Sequence, residues 1–344
     1  MGDVDVCDAK GSGILVDAAR GEYHRNNICG NARAGIRLKG GASAVLTQNR
    51  ITGGAQSGVL VESKSTGTLE KNTIELNGHC GVQLRDDADA TLQHNAICRN
   101  AHMGLLIFNG ADGLIQGNDI KGNGMSGIGV MLNAAPRIIG NHLHANLQCG
   151  LIFNQGGKGL LQGNHIHANV QEGVRIETQA NPVAVGNSIF NGQHHGVLVC
   201  DGGLGTIQGN SILGNRGAGV KIRSDGAPIV VGNRVHDGLG IGLHVTHTGQ
   251  GQVRLNAVYN NRACNLHIEA PPSQVVLEAN GDASLQGDQQ FQSFFSWGAS
   301  STIKPCEQHV EDMAVDAIDV TRLCDAPGPV VDSQHGLLSP IRHH

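Results

Sequence analysis

The sequence predicts an all-β solenoid, a parallel β-helix of about eleven coils, and two columns of residues in one register predict it. Glycine recurs every 23 residues from Gly35 to Gly242, and asparagine keeps the same step from Asn26 to Asn256. Composition agrees, because 51 Gly stand beside only one Trp, two Tyr and six Phe in 344 residues. A core with so few aromatic side chains must be built from small aliphatic ones, on short strands separated by many turns.

Each 23-residue repeat is predicted to contain three short strands. The first strand reads glycine, apolar, any residue, apolar, as in residues 104–107, and this alternation is typical of a strand with one buried face. Another apolar column, starting at Leu46, marks the second strand, and one starting at Ile51, two residues after the asparagine, marks the third. Coils stacked in register would hydrogen-bond to one another at a spacing of about 4.8 Å.

The turn residues fit the same arrangement. The asparagine before each third strand suits an inward turn position, where its amide can bond to the amide of the next coil as an asparagine ladder. Gly117 and Gly140 precede two of these asparagines and predict a positive φ. A leucine-rich repeat is the alternative, because residues 46–51 read L-x-x-N-x-I, but it needs leucines where Gly41 and Ala44 stand.

The period divides the chain into three parts: an N-terminal cap over residues 1–11, the β-helix over 12–280, and an acidic cap or tail over 281–344. Residues 271–344 hold ten acidic and three basic side chains, a net charge of −7. Apolar residues at helical spacing predict a short amphipathic helix over 307–323. A solenoid end exposes its core and its strand edges, so we expect this segment to be a cap rather than a partner-binding tail.

The repeat pattern G-h-x-h…h-x-x-N-x-I-x-x-N resembles the right-handed parallel β-helix family with pectin-lyase-like folds, whose repeats occur in carbohydrate-binding proteins and sugar hydrolases. The short, even coils are most similar to those of the F-box-only protein with β-helix repeats, the Shc-SH2-binding protein and the periplasmic copper-maturation protein. The resemblance covers about residues 12–280. It implies a right-handed helix and, by analogy with the first two proteins, a scaffold that binds proteins.

The cysteines predict a reducing compartment. The nine cysteines are an odd number, and members of one column, such as Cys29 and Cys98, are at least three coils apart. Three coils span about 14 Å, which exceeds the limit of about 7 Å between the Cα atoms of a disulfide, although pairs between columns stay open. The start of the chain lacks the basic and apolar regions of a signal peptide. We therefore expect a cytoplasmic, intracellular protein without a membrane span.

Four of the 18 histidines form a pattern of their own. We expect these four side chains to point outward from one sheet in two stacked pairs: His142, His144, His165 and His167. Such pairs suit Zn²⁺ or Cu²⁺, or they form a hydrated ladder that titrates near neutral pH. His79 and His102 are expected to stack in the same way. Because no carboxylate or cysteine completes a ligand set, the sequence predicts no metal.

The outward positions of the first strand give no pair of carboxylates for catalysis. Glycosidase chemistry needs two carboxyl groups within about 5–10 Å, whereas here none occupy adjacent coils. Glu62 with Arg85, and Glu177 with Arg175, are interpreted as surface ion pairs. The acidic turn at residues 86–89 suits Ca²⁺, but no neighbouring coil adds a second acidic turn. We therefore predict no catalytic residue and no cofactor.

What the first-strand face does offer is an aliphatic stripe. Its outward side chains are Leu60, Leu106, Phe108, Met131, Ile152 and Leu198. Such a stripe marks either a protein-interaction site or a surface covered by the chain's own residues 281–344. The main hypothesis is a non-catalytic scaffold that binds a protein partner there. The alternative is a carbohydrate-active protein, namely a polysaccharide lyase, an epimerase or a glycan binder. A near-neutral solenoid disfavours nucleic acid.

Overall fold

The computed structural model describes residues 1–281, and these form a parallel β-helix of three twelve-stranded sheets. The predicted all-β architecture with three strands per coil is therefore confirmed, with every regular element in this range a strand. The C-terminal cap and its helix at 307–323 lie outside the described residues. Among residues 1–281, no helix is long and apolar enough to cross a membrane.

The first sheet consists of the strands that follow the glycine column. Every strand pairs in parallel with the equivalent strand one coil away, so Val82 lies between Val59 and Leu105. The strands are Ile14–Asp17, Ile36–Lys39, Val59–Val61, Val82–Arg85, Leu105–Phe108, Ile128–Val130, Leu151–Phe153, Val174–Ile176, Val197–Val199, Val220–Ile222, Ile241–Val245 and Cys264–Ile268.

The second sheet follows a tight turn after each first-sheet strand. Its inward side chains, such as Leu69 and Leu92, are fully buried. The strands are Arg20–His24, Ser43–Thr47, Thr66–Glu70, Asp89–Gln93, Asp112–Gln116, Arg137–Ile139, Lys158–Gln162, Asn181–Val185, Thr206–Gln208, Ile229–Val231, Gly251–Arg254 and Val275–Glu278.

The third sheet follows the asparagine turn and supplies the isoleucine column, in which Ile74 pairs with Ile97. The strands are Asp5–Cys7, Asn27–Cys29, Arg50–Thr52, Thr73–Glu75, Ala96–Cys98, Asp119–Lys121, His142–His144, His165–His167, Ser188–Phe190, Ser211–Leu213, Arg234–His236 and Ala257–Tyr259. The inward residues of the three sheets form one continuous aliphatic core, in which Phe153 is the one aromatic side chain among the buried core residues of the described chain.

The two columns of periodic glycines have different physical reasons. A Cβ added to Gly104, in the column before the first strand, would lie 2.5 Å from Ile120 Cγ2 and 2.8 Å from the carbonyl oxygen of Gly127. Close approach of neighbouring chain therefore selects glycine there. Gly117 and Gly140 have φ values of 63° and 62°, which confirms the predicted left-handed conformation before the asparagine.

Two asparagine ladders run along the coils, and the sequence analysis predicted one of them. In the predicted ladder, Asn95 donates from Nδ2 to Oδ1 of Asn118 over 2.9 Å. In the second, at the turn that leads into the first sheet, Asn100 donates to Asn123 over 3.1 Å. These amides are buried, so each ladder bond satisfies polar groups that water cannot reach.

The cysteines include one disulfide that the column pattern did not predict. Cys7 and Cys29 are paired on adjacent coils and form a disulfide, with their Cα atoms 4.5 Å apart. The sequence analysis missed Cys7 because this coil has 22 residues rather than 23, which shifts Cys7 out of the column. Cys80, Cys98 and Cys149 are free and buried. A disulfide favours an oxidising compartment and buried thiols a reducing one, so the cytoplasmic location stays a prediction.

Candidate functional site

The candidate site is the outer face of the first sheet, where side chains alternate between the core and the surface. The register places equivalent residues of successive coils in contact, so that Leu106 lies beside position 129 and Phe108 beside Arg85. The first outward column is Arg37, Leu60, Gln83, Leu106, Gly129, Ile152, Arg175, Leu198, Lys221, His244 and His267. The second outward column is Lys39, Glu62, Arg85, Phe108, Met131, Asn154, Glu177, Cys200, Arg223, Thr246 and Glu269.

Four residues of the predicted stripe come together on three successive coils. Leu106 is buried and Phe108, Met131 and Ile152 are half-buried, and we call these four residues the apolar centre. The register of strands 105–108, 128–130 and 151–153 places them on adjoining coils.

The other two stripe residues stand apart from the apolar centre. Gln83 separates Leu60 from it, and Arg175 separates Leu198 from it. Leu60, Leu106 and Leu198 are 9%, 5% and 1% exposed, so the accessible apolar surface comes mainly from Phe108, Met131 and Ile152. The predicted stripe is therefore not one continuous patch.

Met103 adds to the apolar centre, and the sequence analysis missed it. It lies in the turn before the first-sheet strand, outside both outward columns. A Cβ at Gly129 would meet its Sδ atom at 2.5 Å, so the thioether fills the space that the missing side chain leaves. A thioether is polarizable and adapts to irregular contacts, which extends the apolar centre across three coils.

At one side of the apolar centre, Glu62 is clamped between two guanidinium groups. Arg37 donates from Nε to Oε1 over 2.6 Å, and Arg85 donates from Nε to Oε2 over 2.9 Å. Burial on its own would raise the pKa of the Glu62 carboxyl, but the hydrogen bonds from Arg85 and Arg37 hold it below its ordinary value. The predicted ion pair with Arg85 is thus present, but its carboxylate is buried rather than on the surface.

At the other side, Arg175 lies between two buried carboxylates. Its Nε donates to Glu177 over 2.6 Å, and Nη1 lies 4.0 Å from Glu172. Glu172 also pairs with Nδ1 of His194 at 2.8 Å. Burial would raise the pKa of the Glu172 carboxyl, but the hydrogen bond from His194 and the charges of His194 and Arg175 lower it to about 2. Glu172 and His194 lie in turns, so the two outward columns did not reveal them.

Asn154 presents an unused acceptor beside the apolar centre. Its Nδ2 donates to Oε1 of Glu177 over 2.9 Å, whereas its buried Oδ1 has no hydrogen-bond partner in the described part of the chain. A buried acceptor without a partner costs free energy, on the order of 1–3 kcal/mol. A ligand or partner that brings a donor to this position would remove that cost.

Two groups of side chains among residues 1–281 bring at least three potential metal ligands together. One consists of His244, His267 and Glu269, at the C-terminal end of the outer face. The other consists of Glu177, Cys200 and Asp201. In this second group burial raises the pKa of the Cys200 thiol to about 12, and Arg175 already occupies Glu177, so a thiolate ligand is disfavoured.

The histidine pairs on the third sheet are arranged as predicted. The rings of His142 and His165 have centroids 5.0 Å apart, and those of His144 and His167 are 4.8 Å apart. A carboxylate is present after all, because His144 lies 3.0 Å from Asp119 across the coils. Within the described range, these residues do not form a group of three converging ligand atoms.

The structure also shows the predicted histidine stack at His79 and His102 and the acidic turn at residues 86–89. His79 and His102 stack with their ring centroids 4.2 Å apart, as expected. In the acidic turn, Oδ1 of Asp86 accepts a hydrogen bond from Asn109 over 2.6 Å. The carboxylates of residues 86–89 do not converge as a ligand group in the described chain.

The carboxylates of the face are held by other side chains. All four carboxylates of its columns, including Asp17 at the first coil, have cationic or imidazole partners: Asp17, Glu62, Glu177 and Glu269. Glu62 lies five coils, about 24 Å, from Glu177 and two coils, about 10 Å, from Asp17, whereas a catalytic pair needs about 5–10 Å. The 23-residue step from Asn26 to Asn256 also leaves no insertion in these coils to wall a cleft.

Comparison with known proteins supports the architecture. A family model described as right handed beta helix region matches residues 2–113, 80–234 and 136–281. The cryo-EM structure of the Vag8–C1 inhibitor complex is similar at 15% identity, over 81% of this chain and 79% of that chain, with a TM-score of 0.60. The crystal structure of the periplasmic alginate epimerase AlgG is similar at 14% identity, over 74% and 76%, with a TM-score of 0.51. No curated protein sequence matches.

Proposed function

We propose that this chain, which belongs to the right-handed β-helix family, is a non-catalytic scaffold that binds a protein partner through the outer face of its first sheet. The observation that carries the proposal is the apolar centre, Leu106, Phe108, Met131 and Ile152, set between two groups of fully paired charges. A protein interface has the same anatomy, with an apolar core inside a polar rim.

Two features of the face favour a protein over a saccharide. Phe108 is the one residue of the Phe, Tyr and Trp class in the two outward columns, whereas sugar-binding surfaces commonly stack on such rings. The orphan Oδ1 atom of Asn154 lies beside the apolar centre and suits a backbone N–H of a partner.

The second candidate is a carbohydrate-active protein, a lyase, an epimerase or a glycan binder, that uses the same face. Lys221 and Arg223 in the outward columns are the observation that favours it, because cations attract the carboxylates of a polyuronate. A solved β-helix with an alginate epimerase title shares the fold at 14% identity, which by itself carries no activity.

The proposal is tested by affinity capture with the full chain and a Phe108→Asp, Met131→Asp double variant. The matched control is Val183→Asp, since Val183 is an exposed apolar residue on the second sheet. We expect a purified partner to bind wild type and the control alike and to bind the double variant at least about thirtyfold more weakly, as for an interface hot spot.

The same proteins should also be incubated with alginate and polygalacturonate. Turnover of either polymer by wild type, lost in the double variant but kept in Val183→Asp, would contradict the scaffold and support the second candidate. Partner binding that the double variant leaves unchanged would contradict the choice of face.

A further inference from the structure

Four side chains converge at the C-terminal end of the outer face. His244 and His267 are in register on adjacent first-sheet strands, and Glu269 follows His267 by two residues on the same face. His247 lies in the turn after strand Ile241–Val245. Three imidazoles and one carboxylate from two consecutive coils therefore meet in one place.

The carboxylate of Glu269 lies within hydrogen-bonding distance of all three imidazoles. Oε1 of Glu269 lies 2.9 Å from Nε2 of His244 and 3.1 Å from Nε2 of His267. Oε2 of the same carboxylate lies 2.8 Å from Nδ1 of His247. Ligand atoms around a tetrahedral zinc ion are about 3.3 Å apart, given zinc–ligand bonds of about 2.0–2.2 Å. The ligand atoms of His244, His267 and Glu269 all lie within 4.8 Å of one another, so zinc binding would draw them from hydrogen-bonded to coordinating positions.

We propose that His244, His267, Glu269 and His247 bind a divalent zinc ion. The two strand histidines and the glutamate are fixed by the backbone of the sheet, and their ligand atoms all lie within 4.8 Å of one another. His247, whose side chain is 81% exposed, supplies the fourth ligand from a turn that can adjust. Imidazole nitrogen with one carboxylate selects zinc and its transition-metal neighbours over Ca²⁺ and Mg²⁺, which prefer oxygen ligands.

The alternative clusters lack one part of this set. Of the third-sheet histidines, His144 contacts the carboxylate of Asp119, to which Lys121 also donates over 2.7 Å. The Arg-clamped carboxylates Glu62 and Glu177 face guanidinium groups, which have no lone pair to offer. Of the two ligand groups in residues 1–281, the His244 group alone contains imidazole.

Zinc bound there would tie the strand Ile241–Val245 to the strand Cys264–Ile268, the last two coils of the first sheet. A ligand that binds the folded chain and not the unfolded one raises the melting temperature. Zinc is therefore expected to stabilise this end of the solenoid, with or without a protein partner on the apolar centre.

The test is a zinc titration of the full chain after chelator treatment, followed by calorimetry and by thermal unfolding. We expect one site that the His244→Ala, His267→Ala double variant abolishes. Glu269→Gln, which keeps the shape of the side chain, should weaken binding at least about tenfold. Mutation of a residue that only supports a metal ligand already lowers metal affinity by about that factor, and loss of the ligand itself should lower it no less. His247→Ala should weaken it less than Glu269→Gln.

The matched control is the His142→Ala, His165→Ala double variant, which removes an adjacent-coil histidine pair from another sheet. Control and wild type should bind zinc equally and gain the same rise in melting temperature. Absence of zinc binding by wild type would overturn the proposal. Zinc binding retained by Glu269→Gln and by the His244, His267 double variant would equally overturn it, because the ion would then lie elsewhere.

Discussion

Glu62 and Glu269 occupy the same outward column near opposite ends of the first sheet, yet their surroundings differ. Glu62 is 3% exposed and is held by Arg37 and Arg85. The side chain of Glu269 is 26% exposed and faces the imidazoles of His244, His247 and His267. One repeat position therefore carries two kinds of cluster.

The difference teaches that partners, rather than the position in the repeat, decide what a carboxylate can do. A guanidinium stays charged and only donates hydrogen bonds, so the Glu62 cluster is a fixed ion pair. Imidazoles change charge near neutral pH and also offer a lone pair, so the Glu269 cluster can exchange protons or take a metal. The apolar centre lies between them, bounded by Gln83 and Arg85 on one side and by Arg175 on the other.

The largest effect should come from removing the first of these carboxylates. Glu62→Ala is expected to destabilise the protein by about 2 kcal/mol at pH 7, because two half-buried guanidinium groups lose their shared acceptor. Glu269→Ala in zinc-free protein should cost less than about 1 kcal/mol, since the side chain is partly solvated. Urea unfolding measures the change in the free energy of unfolding of each variant. Hydrogen exchange then compares the loss of protection in strands 59–61 and 82–85 with that in strand 241–245.

The pH dependence supplies the control for that prediction. Because the pKa of Glu62 is lower in the folded protein than its ordinary 4.5, its stabilisation is present above pH 4.5 and is lost as pH falls through the lowered value. The stability difference between wild type and Glu62→Gln should therefore shrink in acid. A difference that stays constant from pH 7 to acid would show that the ion pair is not its source.

A smaller effect is expected for histidines without a carboxylate. Burial, followed by the charge of His102, lowers the pKa of His79 to about 4 from an ordinary 6.5. The unfolded chain then binds a proton before the folded chain does, so stability falls as pH drops from 6.5 toward 4. His79→Gln should reduce the fall in melting temperature between pH 7 and pH 5 by about 2–4 °C.

An equal slope for His79→Gln and wild type would remove His79 from the account of acid sensitivity.

The fold could be predicted because each position of the repeat occurs about ten times along the chain. The glycine before each first strand, the inward apolar residues and the asparagine of the predicted ladder recur at one step, and each has a single physical reason. The disulfide of the first coil was not predicted, because the 22 residues of this coil displace Cys7 from the column that holds its partner Cys29. The second ladder is interrupted by Gly54, Gly192 and Gly238, which weakened its signal.

The site was only partly predictable from sequence. Strand alternation placed Phe108, Met131 and Ile152 on the outer face, as the structure has them. Alternation does not describe turns, so it missed Met103 over Gly129 and His247 beside Glu269. The burial of Glu62 and Glu177 also depends on the conformations of neighbouring side chains, which the repeat pattern does not specify.

The central claim, that the apolar centre is a protein-binding surface, is tested most directly by photo-crosslinking. A photoreactive amino acid is placed at position 131 or, as the control, at position 183 on the second sheet, and the full chain is irradiated in its native cells. The account predicts one discrete protein adduct from position 131 that Phe108→Asp abolishes, and none from position 183. Equal adducts at both positions, or no protein adduct at position 131, would contradict it.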